Sequence, residues 1–180
     1  MGPEPWTLYL RLPQAIVLIP VKTVFALFLL VAVPAHAGPD FELFGLDGQR
    51  VRLSELQSRT TVINFWQGEC PPCRRELPML GRFAAESPGV RVITVALQSR
   101  GATEGDRDLL SPAALNLAAP MGAESLLRRF GNRSGALPYT VVLTEQGEPC
   151  QRQVGEISRT WLEKAISQCN IPNNAYPHGT

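Results

Sequence analysis

Two kinds of hydrophobic pattern alternate along most of the chain. Short runs of β-branched and aromatic residues, apolar on both faces, are typical of strands buried inside a covered sheet. Segments whose apolar residues recur every three or four positions are typical of helices that bury one face. The predicted strands are residues 60–66, 90–97, 115–117, 141–143 and 149–155. The first predicted helix starts near Pro72, with a kink expected at Pro78, and the other predicted helices cover residues 108–114, 123–130 and 158–169. This alternation indicates an α/β fold.

The same pattern locates the ends of the domain. Residues 41–43 and 51–53 alternate with period two on either side of an Asp47-Gly48 turn, which predicts an N-terminal β-hairpin. Residues 171–180 contain prolines and asparagines without an apolar pattern, so we expect a disordered tail. The predicted domain therefore covers residues 38–170.

The first 37 residues contain an apolar segment that we do not assign to the domain. Lys22 precedes an 11-residue apolar core at 23–33, and Ala-His-Ala follows, which is typical of a secretory signal cleaved after Ala37. The core is shorter than the roughly 20 residues that span a bilayer. An uncleaved anchor that also uses residues 15–21 is the alternative, although it would place Lys22 in mid-span at a cost of about 2.5–3.5 kcal/mol. The prolines before residue 21 do not suit a signal peptide, and an over-extended start would explain them.

Composition excludes several classes of function. Removal of the signal takes away Arg11, Lys22 and Glu4, which leaves 15 basic and 15 acidic side chains. This balance gives no support for nucleic-acid binding. Of the two histidines, His36 leaves with the signal and His178 lies in the tail, so a Cys-His protease, a Ser-His-Asp hydrolase and a histidine-ligated metal site are not expected. We predict neither a metal nor a cofactor.

The sequence Cys70-Pro71-Pro72-Cys73 lies where a predicted strand gives way to a predicted helix. The N–H groups and dipole at a helix N-terminus stabilise a thiolate, and in such settings a cysteine pKa falls from about 8.5 to roughly 3.5–7.5. Pro72 suits the first turn of the helix. Pro71 disfavours helical angles at Cys70, so the Cys70 sulfur is expected to be exposed, with Cys73 within reach. An inert staple or half a zinc site is the alternative, but zinc needs a second ligand pair that the rest of the sequence does not supply.

The run from Asn64 to Pro78 begins Asn-Phe-Trp, contains Cys-Pro-Pro-Cys and ends Arg-Arg-Glu-x-Pro. It resembles the active-site segment of the thioredoxin superfamily, and specifically that of its exported TlpA/ResA-like thiol-disulfide oxidoreductases. The resemblance covers residues 38–170 and implies a thioredoxin fold: a mixed central sheet with helices on both faces, here with the added hairpin. It also implies that Cys70 attacks a disulfide of a partner protein and that Cys73 resolves the mixed disulfide.

The resemblance also implies roles for residues around the cysteines. Trp66 matches an aromatic that walls the site, with plain core packing as the alternative. Glu76 matches a glutamate that either exchanges a proton with the resolving thiol or is a solvated carboxylate. Pro138 matches the cis-proline that faces the CxxC, which would leave the Leu137 backbone free to pair with an extended substrate. The predicted substrate-binding residues are Trp66, Pro71, Pro72, Leu137 and Pro138.

Two positions depart from the family pattern. Asn64 stands where cytoplasmic thioredoxins have a buried aspartate, so Glu76 is the expected substitute as proton acceptor. Glu69 stands where relatives often have tryptophan. Its negative charge should raise the pKa of Cys70, against the helix dipole and Arg74-Arg75. The redox potential therefore does not follow from these residues.

The other two cysteines are predicted to form a structural disulfide. Cys150 begins the last predicted strand and Cys169 ends the last predicted helix, and an antiparallel return of that helix brings the two ends together. The bond would close a loop of about 20 residues and contribute about 3 kcal/mol by the chain-entropy model. Two free buried thiols, or a second redox pair, are the alternatives.

These expectations combine into an exported, periplasmic thiol-disulfide oxidoreductase that reduces protein disulfides. Its expected partners are disulfide-containing client proteins and a membrane thiol electron donor, and a monomer is expected. An uncleaved signal would anchor the protein to the membrane. A non-catalytic thioredoxin-like binding module, or a net disulfide oxidant or isomerase, is the alternative.

Overall fold

The computed structural model describes residues 38–56, 58–119 and 123–170. The predicted signal and tail lie outside the described residues. No helix within these described ranges is long and apolar enough to cross a membrane.

A seven-stranded mixed sheet forms the centre of the domain, in the order β2-β1-β5-β4-β3-β6-β7. Parallel pairing joins β3 to β4 and β4 to β5, and the remaining pairs are antiparallel. The strands are β1 Glu42–Gly45, β2 Arg50–Arg52, β3 Thr61–Trp66, β4 Arg91–Ala96, β5 Leu115–Ala118, β6 Tyr139–Leu143 and β7 Pro149–Val154. The helices are α1 Pro71–Glu86, α2 Arg100–Glu104, α3 Ala123–Arg129 and α4 Arg159–Cys169, with 3₁₀ turns at Leu53–Leu56 and Arg107–Leu109.

Helices cover both faces of the sheet because the side chains of each strand alternate between its two faces. From β3, Ile63 and Phe65 pack with Leu126 and Leu127 of α3. Val62 points to the other face. There it packs with Leu80 and Phe83 of α1 and with Leu162 and Ile166 of α4. The predicted thioredoxin fold with its N-terminal hairpin is therefore confirmed.

The helix predicted over 108–114 is wrong. The chain there leaves the 3₁₀ turn and runs through a turn into β5. Pro112 explains the error, because proline lacks an N–H and disfavours helical angles in the residue before it. The short helix α2 lies earlier, in a polar stretch for which the sequence gives no helix prediction. There the Ser99 side chain accepts a hydrogen bond from Ala102 N (3.2 Å) and caps the helix. Pro78 does not end α1, which continues to Glu86.

Candidate active site

The two cysteines lie at the N-terminus of α1, one short turn after β3. Cys70 is the N-cap residue, with extended backbone angles (φ −103°, ψ 98°), and Pro71 and Pro72 begin the helix. The Cys70 sulfur accepts a hydrogen bond from Cys73 N (3.3 Å) and is joined to the Cys73 sulfur in a disulfide, with 5.3 Å between the Cα atoms. The prolines therefore hold the pair in the arrangement that the sequence predicts.

The two sulfurs differ in access to solvent. Cys70 is half-buried, whereas Cys73 is fully buried against Trp66, Leu77 and Ala96. Only Cys70 can meet a large partner without rearrangement of the core. This asymmetry suits a first cysteine that attacks and a second that resolves.

Trp66 lies beneath the pair. Its side chain has no exposed surface and packs on Cys73 in the same small cluster. Of the two roles expected for this residue, the structure shows core packing behind the resolving cysteine. The side chain offers no surface to a client.

The loop before β6 meets the cysteine pair from the other side. The Leu137–Pro138 peptide bond is cis, as predicted, and Leu137 packs against the cluster that contains Cys73. Pro138 O accepts a hydrogen bond from Gly155 N (2.8 Å). Among the described residues, neither backbone polar group of Leu137 has a hydrogen-bond partner. An extended peptide could therefore pair with this position.

An exposed valine next to this loop was not singled out in the sequence. Val154 ends the edge strand β7, pairs with Tyr139 and leaves 50% of its surface exposed. The available signal was a valine followed by glycine at the end of a predicted strand. Its apolar surface lies at the same end of the sheet as Cys70, because Tyr139 also pairs with Phe65 near the end of β3.

Glu76 is buried, not solvated. Its side chain lies between α1 and the sheet with 2% exposure, where Oε1 accepts from Asn64 Nδ2 (2.7 Å) and Oε2 accepts from Ile157 N (2.9 Å). Burial raises the pKa of Glu76 to about 7, although both hydrogen bonds act to lower it. The alternative of a solvated carboxylate is therefore wrong. Helical spacing gave a signal for this burial, since Glu76 falls between Cys73 and Leu80 on the apolar stripe of α1.

Asn64 stands at the centre of this polar contact. Its Nδ2 group also donates to Thr140 Oγ1 (3.0 Å), and its Oδ1 atom is buried without a hydrogen-bond partner among the described residues. The amide therefore presents its donor to Glu76. It favours the ionised carboxylate but does not supply a second acid.

Both arginines that follow Cys73 are paired with carboxylates. Arg74 pairs with Asp106, and Arg75 pairs with Glu156 (2.7 Å). The positive charges of Arg74 and Arg75 are therefore partly compensated. Sequence reasoning missed Asp106, because nothing local connects it to a cysteine far earlier in the chain.

A cavity of about 450 Å³ opens beside Leu137. Apolar residues and Gln67 form part of its wall, and its charged residues are Arg133 and the Arg128–Glu124 ion pair (3.7 Å). The cavity is therefore a groove of mixed character beside the Leu137–Pro138 loop.

Cys150 and Cys169 are joined in a second disulfide, with 5.6 Å between the Cα atoms, as predicted. The alternative of two free buried thiols is therefore wrong. The bond lies at the opposite end of the sheet from Cys70, since Cys150 adjoins the strand pair Val142–Gln151 while Val142 pairs with Val62, near the start of β3. Direct exchange between the two disulfides is excluded by this separation.

Comparisons with known proteins agree with this geometry. The sequence profile of the AhpC/TSA family matches residues 34–148. Thiol-disulfide oxidoreductase ResA of Halalkalibacterium halodurans is 29% identical over 131 residues, which cover 69% of this chain and 70% of ResA. Thioredoxin-like protein YneN of Bacillus subtilis is 24% identical over 129 residues, covering 71% of this chain and 75% of YneN.

Comparison with solved structures also finds similar proteins. MTB DsbF superposes with a TM-score of 0.63 at 25% identity, covering 72% of this chain and 95% of DsbF. The exposed lipoprotein thioredoxin Etrx1 of Streptococcus pneumoniae also gives a TM-score of 0.63 at 25% identity, covering 72% of this chain and 98% of Etrx1.

The fold and the cysteine pair define a thioredoxin-fold disulfide oxidoreductase. The chain belongs to the AhpC/TSA family, within which it is a ResA/TlpA-like thiol-disulfide oxidoreductase.

Proposed function

We propose that the protein reduces disulfides in exported client proteins. The observation that carries this proposal is the asymmetry of the pair, in which Cys70 is half-buried and Cys73 is fully buried. An accessible thiolate can attack a client, while a buried neighbour is limited to attacking the mixed disulfide that results.

The reaction has two exchange steps. The Cys70 thiolate attacks one sulfur of a client disulfide, so that a mixed disulfide forms and one client thiolate leaves. Cys73 then loses its proton and attacks the Cys70 sulfur, which forms the Cys70–Cys73 disulfide and releases the second client thiolate. The client gains two electrons and the enzyme is oxidised. A membrane thiol donor returns the pair to the dithiol.

Glu76 accepts the proton of Cys73 in this scheme. It lies one helical turn after Cys73, it is buried on the same side of α1, and its pKa of about 7 allows it to take up and release a proton near neutral pH. Replacement by glutamine should therefore slow the second step and cause the mixed disulfide to accumulate.

The client binds across the surface beside Cys70. An extended client segment would pair with the free backbone of Leu137, next to the exposed side chain of Val154. Pro71, which is exposed, and the partly exposed Pro72 border the same surface, whereas Pro138 is buried and shapes the loop. Main-chain pairing of this kind accepts many sequences, which suits a reductase with more than one client.

The proposed location is the periplasm, with the protein acting as a monomer. The predicted signal over residues 1–37 supports export, as does the similarity to a lipoprotein thioredoxin described as exposed. An uncleaved signal would tether the same domain to the membrane. Nucleic acid is not among the proposed partners.

Insulin reduction tests the proposal. The wild-type protein should reduce insulin with turnover when a dithiol is supplied, and Cys70→Ser should abolish turnover without unfolding the protein. Equal slow rates for the two proteins would instead indicate a binding module. Equilibration of the pair against glutathione tests the direction, because a reductase requires a strongly negative potential and an oxidant does not. Clients trapped on Cys73→Ser as mixed disulfides would then identify the natural substrates.

A further inference from the structure

The loop that leads into Cys70 is held by a polar network from a later part of the chain. Gly68 N donates to Gln98 Oε1 (2.7 Å), and Gln98 Nε2 donates to Asp106 Oδ2 (3.1 Å). Arg74 Nη1 donates to Asp106 Oδ1 and also to Gly68 O (3.4 Å). Both backbone polar groups of Gly68 are therefore bound by this network.

The fit between Asp106 and the loop is close. A Cβ atom on Gly68 would lie 2.4 Å from Asp106 Oδ2 and 3.1 Å from Gln98 Oε1, so a side chain at this position would displace the carboxylate. The Asp106 side chain is 14% exposed, and its partner Arg74 is 42% exposed. The carboxylate is thus a nearly buried part of the loop, not a solvated surface group.

The Arg74 guanidinium lies beside the loop that leads into Cys70, where Nη1 donates to Gly68 O, two residues before the cysteine (3.4 Å). Arg74 itself lies in the first turn of α1, where its backbone N–H donates to Cys70 O (3.1 Å). A cation in this position favours the Cys70 thiolate over the thiol. Within the described residues, Asp106 is the carboxylate that pairs with Arg74, and its negative charge opposes this effect.

Three other charged residues lie near Cys70 in the sequence, and they are exposed, paired or buried elsewhere. Glu69 directly precedes Cys70 and is exposed, and Arg75 is paired with Glu156. Glu76 lies on the interior side of α1, behind Cys73. Of these charged groups, the Arg74–Asp106 pair is the one that also contacts the loop before Cys70, through Gly68 and Gln98.

We propose that Asp106 is a positioning residue that tunes the reactivity of Cys70: it neutralises the Arg74 guanidinium and, with Gln98, fixes the Gly68 backbone before the nucleophile. The proposal deepens the proposed function and rests on Cys70 as the attacking thiol. The role depends on charge as well as on shape, and this distinguishes it from simple stabilisation of the loop.

The two halves of the ion pair provide the test. In reduced protein, the pKa of Cys70 is measured from the pH dependence of its alkylation rate, followed by mass spectrometry of the peptide that contains it. Asp106→Asn leaves the Arg74 cation uncompensated and should lower the Cys70 pKa by about half a unit. Arg74→Gln leaves the Asp106 carboxylate uncompensated and should raise it by a similar amount. The double variant should return close to the wild-type value.

The matched control is Glu104→Gln. It removes a carboxylate from the same segment, where Glu104 pairs with Arg107 (2.6 Å) and does not contact Gly68. It should leave the Cys70 pKa unchanged. Single variants at Asp106 and Arg74 that shift the pKa in the same direction, or not at all, would overturn the proposal, since damage to the loop alone has no reason to give opposite signs.

The titration needs no client, so its result is independent of insulin turnover. Opposite shifts in a protein that does not reduce insulin would support the charge relationship and contradict the proposed function. If Cys70→Ser loses insulin turnover but neither single variant shifts the Cys70 pKa, the proposed function is supported and the charge relationship is contradicted.

Discussion

Glu76 and Asn64 face each other across the space between α1 and β3, with 2.7 Å between Oε1 and Nδ2. The amide donates to the carboxylate and so favours its ionised form, yet burial outweighs this contact and raises the pKa of Glu76 to about 7. A carboxylate with a pKa near neutral at this position makes the stability of the domain depend on pH in that range.

The stability of the protein should therefore depend on the protonation of Glu76. Its pKa is raised from 4.5 to about 7 in the folded state, so between these values the folded state binds more protons than the unfolded state. The free energy of unfolding should then fall as pH rises through this window, by about 2–3 kcal/mol, and level off above it. Denaturant unfolding measured from pH 4.5 to pH 8 checks this slope.

The matched comparison is between Glu76→Gln and Glu145→Gln, because Glu145 is exposed in the turn before β7. Glu76→Gln should remove this contribution to the slope, although it also leaves one of two donors, Asn64 Nδ2 or Ile157 N, facing an amide N–H₂. Glu145→Gln should keep the wild-type slope. An unchanged slope in Glu76→Gln would show that Glu76 titrates at an ordinary pKa.

Asn64→Asp tests the same contact from the other partner. The substitution replaces a donor to Glu76 by a second buried carboxyl group within hydrogen-bond distance. Two such groups share one proton at neutral pH, and the apparent pKa of the second ionisation rises further. We expect the variant to lose stability more steeply than the wild type as pH rises toward 8. Proton titration of the two carboxyl groups by NMR measures the effect directly, and two independent, unshifted titrations would contradict it.

Val154 and Phe44 are almost equally exposed, so substitutions at these two residues can test where a client binds. Their exposed fractions are 50% and 51%, but Val154 lies beside the Leu137–Pro138 loop while Phe44 lies on the N-terminal hairpin. Val154→Asp should raise KM for insulin several-fold with little change in kcat, because it places a charge on an apolar contact surface. Phe44→Asp should leave both constants unchanged. Equal effects of the two substitutions would place client binding elsewhere.

The sequence predicts the parts of this molecule that depend on local chemistry. The strand ending at Trp66, the helix that starts at the Cys-Pro-Pro-Cys run and the last helix, α4, all follow from periodicity and from the backbone preferences of proline. Pro112 is also a local signal, because proline disfavours the interior of a helix. The helix expected over 108–114 is wrong for that reason.

Contacts between distant segments are not readable in this way. Asp106 reaches Arg74 and Ile157 N reaches Glu76 only because the loop before β5 and the segment before α4 fold back onto α1. The burial of Glu76 was partly visible in the spacing of the apolar stripe, but the identity of its two donors was not. The long-range contacts around the cysteine pair therefore emerge from the structure, whereas the Cys-Pro-Pro-Cys run itself is visible in the sequence.

Removal of the second disulfide should affect stability and leave the reaction intact. Cys150 and Cys169 are 19 residues apart in sequence, and their bond lies at the far end of the sheet from Cys70. Replacing both by alanine should lower the free energy of unfolding by about 3 kcal/mol in the chain-entropy model, because the unfolded chain regains the freedom of that loop. The initial rate of insulin reduction at room temperature should remain within the wild-type range, since the double variant leaves no unpaired thiol to compete with Cys70. If the double variant is shown to be folded and loses initial rate as well as stability, the result would indicate instead that the second pair takes part in electron transfer.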